Sequence, residues 1–463
     1  MYKEILRLAA PLILSTTGLM FMQFVDAMFL GRFSADAIAA VVPAGMAATL
    51  VISAFQGTCG YASTFVAHFF GANRMERAIA VTWQSIYFAL GSGVIVALFS
   101  LFSGRIFDLV GHDQQVRILE KSYFDIMCWG AFATLLSNAA GAFFSGKGKT
   151  GIVMAVQVSG FLLNALLDYP LIFGWKGICQ PMGISGAAWA TVASQLFNCI
   201  VFLLLFLRSG DVQVMKSSKF EWPLFSRFVR FGFPSGLRWA FEMLAWTLFI
   251  FVTGRIGRTE LAASGIAFRI NGIAFFPIIG VAQAVAIMVG QSQGRGDPVH
   301  SQKVTWAGLL ISQVWMISAA LLFVLFPAPI YSIFEGDMSS GDFKLITEVG
   351  TVLLRFVALY SLFDAFNIVL VFALQAAGDT RWTMRISLIA HLVFFAVLIL
   401  CDRMKVGLWV EWFAATIFVL STATIWFVRF RMGAWRHIKV IETVPAIEDL
   451  YDQQNRIVPA GSN

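Results

Sequence analysis

Residues 8–31 read LAAPLILSTTGLMFMQFVDAMFLG, an apolar run longer than the roughly 20 residues that an α-helix needs to cross a bilayer. The run contains one carboxylate, Asp26, and one proline, Pro11. A charge inside hydrocarbon costs about 2.5–3.5 kcal/mol on insertion scales, so such a residue is a functional candidate. We therefore predict a transmembrane helix that carries a functional acid.

The rest of the chain repeats this pattern. Of its 463 residues, 59% are apolar and 13% are charged, whereas a soluble domain has roughly 45–50% apolar and about 25% charged residues. The sequence therefore predicts an all-α membrane protein with twelve transmembrane helices. The further spans are expected at 38–69, 78–103, 122–145, 152–174, 184–207, 229–253, 261–290, 304–326, 348–376, 384–401 and 407–428.

Basic residues mark one side of the membrane. Lys and Arg concentrate in every second loop, as at Arg74 and Arg77, and in the segments 208–228 and 429–439. The positive-inside rule then places both termini in the cytoplasm of a multi-pass plasma (inner) membrane protein. The net charge of +7 is explained by these loops, so we expect contact with the lipid bilayer and no nucleic-acid partner.

The two halves of the chain resemble each other. Arg7–Pro11 (RLAAP) aligns with Arg230–Pro234 (RFGFP), and the same shift in numbering relates Gly57 to Gly280. Each half has an even number of spans, so two parallel, pseudo-symmetric six-helix bundles are expected, as in secondary transporters. The predicted division is an N-lobe at 1–207, a cytoplasmic linker at 208–228, a C-lobe at 229–430 and a polar cytoplasmic tail at 431–463.

The first half offers a pair of intramembrane acids, Asp26 and Asp168. Counting the helix rise of about 1.5 Å per residue from the nearest basic marker places both acids at a similar depth. Asn164 lies four residues before Asp168, on the same helix face. Two carboxylates and an amide could hold a hard cation such as Na⁺ or share a proton. The alternatives are that Asp26 caps its helix or pairs with Arg32, and that Asn164 only packs helices together.

The second half offers Glu242 and Asp364, predicted nearer the middle of the bilayer. Tyr360 lies four residues before Asp364, and Phe363 and Phe366 lie nearby. Aromatic rings beside a carboxylate suit an organic cation. The alternatives are that Glu242 forms a structural ion pair with Arg238 and that Tyr360 only packs.

Proline and the absence of other motifs complete the sequence evidence. Pro11 and its counterpart Pro234 fall early in the first and seventh spans, where each could act as a hinge or be an inert proline. The sequence has no GxxxxGK[ST] or other catalytic motif, and the N-terminus shows no cleavage pattern. We expect no enzyme activity, no cofactor, no structural metal and no removable signal peptide.

Four short stretches resemble the multidrug and toxic compound extrusion (MATE) family. They are Phe24–Arg32 (FVDAMFLGR), Gly71–Asn73 (GAN), Gly183–Thr191 (GISGAAWAT) and Gly290–Gln291 followed by Gly294. The resemblance covers about residues 1–435. It implies a two-lobed fold with a central V-shaped cavity that exports cationic or polyaromatic compounds against inward H⁺ or Na⁺.

The resemblance also implies roles for individual residues. In the N-lobe it assigns cation coupling to Asp26, Asn164 and Asp168, with Thr191 as a nearby hydroxyl contact. In the C-lobe it assigns an acidic substrate-binding cluster, typical of the NorM-like branch, to Glu242, Tyr360 and Asp364. The segment from Asn164 to Asp168 is closer to the DinF-like branch, so the coupling ion stays open between H⁺ and Na⁺.

Two other functions compete with drug export. A lipid-linked oligosaccharide flippase of the same superfamily generally favours a cationic cavity, whereas the charges inside these spans are mainly acidic. A channel or membrane scaffold would not require a twofold repeat with buried carboxylates. The sequence therefore predicts an antiporter of small organic molecules, expected to be a monomer.

Overall fold

The computed structural model describes residues 1–110, 112–175, 180–209, 214, 216–334 and 340–442. Within these ranges, twelve helical segments are long and apolar enough to cross a membrane. The protein is thus an all-helical, multi-pass membrane protein, as the sequence predicts. Its first-half helices are α1 Tyr2–Phe33, α2 Ala35–Gly60, α3 Ala62–Gly71, α4 Met75–Phe99, α5 Ser103–Val110, α6 Gln114–Gly146, α7 Thr150–Phe173 and α8 Ile184–Arg208.

The second half begins after the longest connection. Its helices are α9 Trp222–Thr253, α10 Arg258–Gly294, α11 Pro298–Leu325, α12 Pro327–Ser332, α13 Ser340–Ala376, α14 Thr380–Met404 and α15 Leu408–Met432. The helices α2 and α3 together form the second span, and α4 and α5 belong to the third. The short helix α12 follows α11 and precedes the tenth span.

Each half has its own apolar core. Each core also contains residues from the first turns of one helix of the other half. Ile5, Ala9 and Leu12 of α1 are buried with the second-half core. Leu224 and Phe228 of α9 are buried with the first-half core. The first and seventh spans therefore connect the two halves mechanically.

The contacts between the halves follow the repeat residue by residue. A Cβ on Gly57 would lie 2.7 Å from Gly236 Cα, and a Cβ on Gly280 would lie 2.7 Å from the backbone nitrogen of Ile13. The shift that aligns the two halves in sequence converts the first pair into the second. Glycine is needed at these points because any side chain would force the backbones apart.

A second reciprocal pair lies at the ends of α3 and α10. A Cβ on Gly71 would lie 2.1 Å from the Gln291 carbonyl oxygen, and one on Gly294 would lie 2.0 Å from the His68 carbonyl oxygen. These two contacts are again related by the shift between the halves. The pseudo-twofold symmetry predicted from the sequence is thus confirmed at atomic contacts.

The predicted linker and tail both contain packed structure. The helix α9 begins at Trp222, inside the stretch 208–228, and Val214 is fully buried. After α15, Trp435 and Val440 are buried and Arg227 donates to the Val440 carbonyl oxygen at 2.6 Å. Residues 210–213 and 215 of the linker and 443–463 of the tail lie outside the described residues.

Candidate functional site

The first-half site forms where α1 packs along α7. The side chains of Asp26 and Asp168 are within hydrogen-bonding reach of each other. Asp168 is fully buried and its Oδ1 has no hydrogen-bond partner among the residues that the structure describes, whereas Asp26 is half-buried. Two ionised carboxylates would repel at this separation, so the pair requires a shared proton or a bound cation.

Small and aromatic residues bring the two helices together on both sides of these acids. A Cβ on Gly18 would lie 2.9 Å from the ring of Phe161, so a larger residue here would displace that ring. Near the C-terminal ends of α1 and α7, Phe29 packs edge-to-face on Tyr169 and Phe173, with ring centroids 6.2 and 6.3 Å apart. These contacts fix the register that aligns Asp26 with Asp168.

Asn164 connects the acids to a third helix, α8. In the amide orientation that satisfies its neighbours, Asn164 donates to Asp26 Oδ1 at 2.9 Å and accepts from the Thr191 backbone nitrogen at 3.3 Å. Asn164 is fully buried. The Thr191 hydroxyl instead donates to the Ala187 carbonyl oxygen at 3.1 Å. Thr191 thus lies at the predicted site, but it contributes its backbone rather than its hydroxyl.

Sequence reasoning missed Tyr123. This residue lies on α6, is nearly buried and interacts electrostatically with both Asp26 and Asp168. A phenol at this place can donate to a carboxylate. Nothing in its local sequence marks it, because its role depends on how α6 packs.

The second half brings Glu242 into contact with two basic side chains. Glu242 Oε2 lies 3.6 Å from Arg238 Nη1 and 3.6 Å from His391 Nε2. Its Oε1 accepts from Trp246 Nε1 at 3.1 Å. The ion pair with Arg238, considered as an alternative from the sequence, is therefore present. His391 was missed as a partner of Glu242, although a histidine inside a span was a usable signal.

Asp364 and Tyr360 lie on α13 beside this cluster. Asp364 is buried, interacts electrostatically with Glu242 and hydrogen-bonds to the side chain of Asn367. Asn367 in turn accepts from Trp426 Nε1 at 2.6 Å. Tyr360 is buried, its hydroxyl has no partner in the described part of the chain, and it interacts electrostatically with Asp364. The Tyr360 hydroxyl is therefore available to a ligand.

The two phenylalanines expected near Asp364 take part in core packing. Phe366 packs edge-to-face on Phe427 of α15, with ring centroids 6.1 Å apart. Phe363 is partly buried against the second-half core. Their neighbourhood is apolar, and a low dielectric constant strengthens the attraction between an ionised Asp364 and any nearby positive charge.

Pro11 lies inside α1, which continues through it as one helix. Ser15 donates its hydroxyl to the Pro11 carbonyl oxygen at 3.1 Å, and Thr16 donates to the Phe276 carbonyl oxygen of α10 at 3.2 Å. The helix that carries Asp26 is therefore hydrogen-bonded to the opposite half, one turn beyond the proline.

A search for clustered metal ligands covers only the described part of the chain. This part contains no group of three or more His, Cys, Asp or Glu side chains arranged to hold a metal ion. At the first-half site, Asp26 and Asp168 supply carboxylate oxygens, whereas Asn164 presents its amide nitrogen to Asp26 and its oxygen to the Thr191 backbone.

Fold and site together define a polytopic membrane protein of two repeated halves, with buried carboxylates in each. The MatE family model matches residues 11–170 and again residues 234–400, and the chain belongs to this family.

Curated relatives span nearly the whole chain. A probable multidrug resistance protein NorM of Thermotoga maritima is 23% identical over 454 residues, covering 95% of this chain and 94% of the relative. A probable NorM protein of Pseudomonas syringae is 28% identical over 392 residues, covering 83% of this chain and 84% of the relative.

Solved structures share the fold. A MOP superfamily transporter from Pyrococcus furiosus superimposes with a TM-score of 0.83 at 21% identity, covering 94% of this chain and 97% of that one. A multidrug resistance MATE family transporter in an outward-facing conformation gives a TM-score of 0.84 at 20% identity, with the same coverage.

Proposed function

We propose that this protein is a secondary active antiporter that exports organic cations or polyaromatic compounds in exchange for H⁺, with Na⁺ as the alternative coupling ion. Two features support this proposal: the chain belongs to the MatE family, and its relatives carry the name of multidrug resistance proteins. The small-molecule substrate is expected to enter between the two halves, which is where repeat-built transporters place their sites.

The observation that carries the proposal is the acid pair of the first half. Asp26 and Asp168 contact each other, and Asn164 joins them through Asp26. Within the described ranges, neither acid forms an ion pair with a basic side chain of the protein. A buried acid pair without an internal counter-charge must take up a cation from outside, and a transported ion supplies one.

Coupling follows from where these residues lie. Asp26 stands on the helix that packs against α7 in its own half and against α10 in the other half. Binding of a proton to the pair removes the repulsion between the acids and favours one packing of α1, while the organic substrate favours the other. Such opposite preferences are what exchange requires. Pro11, which deprives α1 of one backbone hydrogen bond, is the proposed hinge for this movement.

The second half is the proposed substrate side. Asp364 and Glu242 supply carboxyl groups, Tyr360 supplies a hydroxyl that has no partner among the described residues, and Phe363 and Phe366 make the surroundings apolar. In a poorly solvated site, the attraction between a carboxylate and an organic cation is screened little. We expect a substrate that carries a positive charge on an apolar, often aromatic body.

The same arguments extend to topology. We place the lobes at 1–207 and 229–430, the linker 208–228 and both termini in the cytoplasm, and a monomer in the inner membrane. Thiol labelling of a cysteine introduced at Lys219 tests the orientation. The reagent should reach it only from the cytoplasmic side, and labelling confined to the outside would contradict the topology.

Transport itself is tested with the purified protein in vesicles. An imposed pH gradient should drive ethidium out of the compartment that corresponds to the cytoplasm, and its collapse should stop this flux. A Na⁺ gradient at symmetric, fixed pH should drive far less. Equal export on Na⁺ alone would replace H⁺ as the coupling ion, and no export on either gradient would refute the antiporter.

A further inference from the structure

The chain continues beyond α15 as a short segment, residues 433–442, here called the tail segment. Its first part is attached to the second half. Trp435 is 1% exposed, donates from Nε1 to the Phe430 carbonyl oxygen at 2.9 Å and stacks on the Phe430 ring with centroids 4.9 Å apart. Arg436 Nη2 donates to Gln302 Oε1 of α11 at 2.6 Å. The tail segment therefore begins as part of the second half.

The other end of the tail segment lies on the first half. Val440 is buried in the first-half core. Arg74, which directly precedes α4, donates from Nη1 to the Glu442 carbonyl oxygen at 2.9 Å. Arg77 Nη2 lies 3.7 Å from Glu442 Oε2. One short segment of chain thus connects the end of the twelfth span to the start of the third.

The middle of the tail segment is held along its backbone. Arg227 of α9 donates from Nε to the Val440 carbonyl oxygen at 2.6 Å and from Nη2 to the Lys439 carbonyl oxygen at 3.0 Å. Gly378, at the turn between α13 and α14, lies against it, since a Cβ there would lie 2.5 Å from Val440 Cγ2 and 2.9 Å from Ile438 Cγ2. The tail segment is therefore packed against elements of both halves.

The two halves also contact each other on this side of the molecule. His68 Nε2 of α3 donates to the carbonyl oxygen of Ala376, the last residue of α13, at 2.8 Å, and both residues are buried. Arg74 follows α3 and Gly378 follows α13, so the tail segment is attached beside the two helix ends that form this contact. It therefore crosses the line along which the halves meet.

The two attachments of the tail segment differ in strength. Transporters built from repeats open each side of the membrane in turn by moving one repeat against the other, and separation of α3 from α13 would pull these attachments apart. One end is anchored by the buried Trp435. The other is held by Val440 and by ion pairs of Glu442, whose side chain is 49% exposed, with Arg77 and Arg227 at 3.7 and 4.0 Å. Exposed ion pairs are weak, so the Glu442 end is the one that detaches.

We propose that the tail segment is a strap that keeps the cytoplasmic side closed, and that its Glu442 end must leave Arg74 and Arg77 before a substrate can enter from that side. The strap favours the closed state by the free energy of its contacts on the first half, because those contacts exist in that state only. This inference rests on the proposed antiport with its alternate opening, and it adds an autoinhibitory contact made by the tail of the chain itself.

A reversible cross-link tests the release. In an Arg74→Cys/Glu442→Cys variant, a short bis-methanethiosulfonate reagent joins the tail segment to the first half, and dithiothreitol removes the link again. Cross-linking should reduce ethidium export in vesicles by about 10-fold or more, because a transport cycle stops when one of its conformational steps is blocked, and dithiothreitol should restore it. Export at the same rate with and without the link would overturn the proposal. The wild type receives the same reagents as a reference, since it has five cysteines of its own.

A second cross-link provides the matched control. Gln302→Cys/Arg436→Cys, treated in the same way, joins the tail segment to α11 within the second half. This link should leave export within about twofold of the wild type, because both of its attachment points move together. If it slows export as much as the first cross-link does, the tail segment has a structural role and the strap is refuted.

Hydrogen exchange supplies a readout that does not depend on transport. In the full-length protein in detergent, the backbone amides of α3 should exchange more slowly in the cross-linked Arg74→Cys/Glu442→Cys variant than after dithiothreitol, because they exchange when the contact with α13 opens. The Gln302→Cys/Arg436→Cys link should not change them. Equal exchange before and after reduction of the first link would overturn the strap. Slower exchange in a protein that exports nothing on either gradient would keep the strap and refute the antiporter.

Removal of a single charge should loosen the strap. Glu442→Gln deletes the charge that faces Arg77 and Arg227 and should speed exchange of the α3 amides by about threefold, the effect of losing weak, half-exposed ion pairs. Glu4→Gln makes the same change at an exposed acid of α1 and should leave this exchange as it is in the wild type. Faster exchange in both variants, or in neither, would contradict the strap.

Discussion

The two halves of this protein share a scaffold but differ in the charge of their interiors. In the first half, Asp26 and Asp168 contact each other without a basic partner among the described residues. In the second half, Glu242 has Arg238 and His391 at 3.6 Å each. The first site therefore has no basic counter-charge among the described side chains, whereas the second has two basic side chains beside its Glu242.

The acids of the two halves do not occupy equivalent positions of the repeat. In the alignment that pairs Gly57 with Gly280, the position equivalent to Asp26 is Phe249. Later in each half, where Gly148 corresponds to Gly378, the positions equivalent to Asn164 and Asp168 are Phe394 and Leu398. The contacts that hold the halves together are symmetric, and the functional groups are not. The two halves therefore share their packing contacts, while their intramembrane acids stand at different, non-equivalent positions.

Removing the first-half acids should have the largest effect on transport. Asp26→Asn and Asp168→Asn should each reduce gradient-driven ethidium export by about 100-fold or more, because removal of the acid deletes the ion-binding group itself. Protein yield and unfolding temperature should change little, since no basic partner is left unpaired. Asp36→Asn, an exposed acid at the start of α2, is the control. Full activity of the Asp26→Asn/Asp168→Asn double variant would contradict the coupling mechanism.

Removing the second-half acid that pairs with basic groups should reduce stability. Glu242→Gln leaves Arg238 and His391 without a carboxylate, and an uncompensated buried charge costs about 3 kcal/mol or more. Thermal unfolding in detergent should show this loss, and a Glu242→Gln/Arg238→Met double variant should recover much of it. A Glu242→Gln protein as stable as Asp168→Asn would show that the two sites do not differ electrically.

Neutralising Asp364 should separate substrates by charge. Asp364→Asn should weaken export of ethidium by about 10-fold, and export of a neutral polyaromatic dye by less than about 3-fold, because only the cation loses a Coulomb partner. Initial rates for both dyes in the same vesicles provide the measurement. Equal losses would mean that Asp364 supports the fold and does not attract substrate.

The smallest effect is expected at Asn164. Asn164→Ala removes one neutral hydrogen bond to Asp26 and leaves both acids, so export should fall by only about 3- to 10-fold, in line with a hydrogen bond of about 1 kcal/mol. Asn164→Asp should be more harmful, since it adds a third acid to the site. If Asn164→Ala is as inactive as Asp26→Asn, the amide is an essential ligand and a bound Na⁺ becomes the better interpretation.

Much of the fold could be predicted because hydrophobicity is a local property. A run such as residues 8–31 must cross the bilayer whatever its neighbours do, so the spans and their number followed from composition and length. The constant shift between equivalent glycines predicted the repeat, and the structure adds that these glycines make reciprocal contacts between the halves. Residues such as Asp26, Asp168 and Glu242 stood out because an acid in hydrocarbon has no local explanation.

The partners of these acids were harder to predict, because they come from distant parts of the chain. Tyr123 and His391 reach their carboxylates from helices far away in sequence, and no local pattern records such a meeting. Thr191 was expected through its hydroxyl, but its hydroxyl bonds to its own helix and its backbone faces Asn164.

The sequence by itself determined which segments can cross the membrane, that the chain is built twice and that Asp26, Asp168, Glu242 and Asp364 lie inside apolar runs. Those properties depend on the free energy of single side chains and segments in lipid. Only the tertiary structure decided that the first-half acids face each other while Glu242 faces Arg238 and His391. That outcome depends on helix rotation and register, which are set by close contacts such as Gly18 against Phe161. Because charge interactions fall with distance, these small rotations determine which acids lie beside each other and which acid lies beside basic side chains.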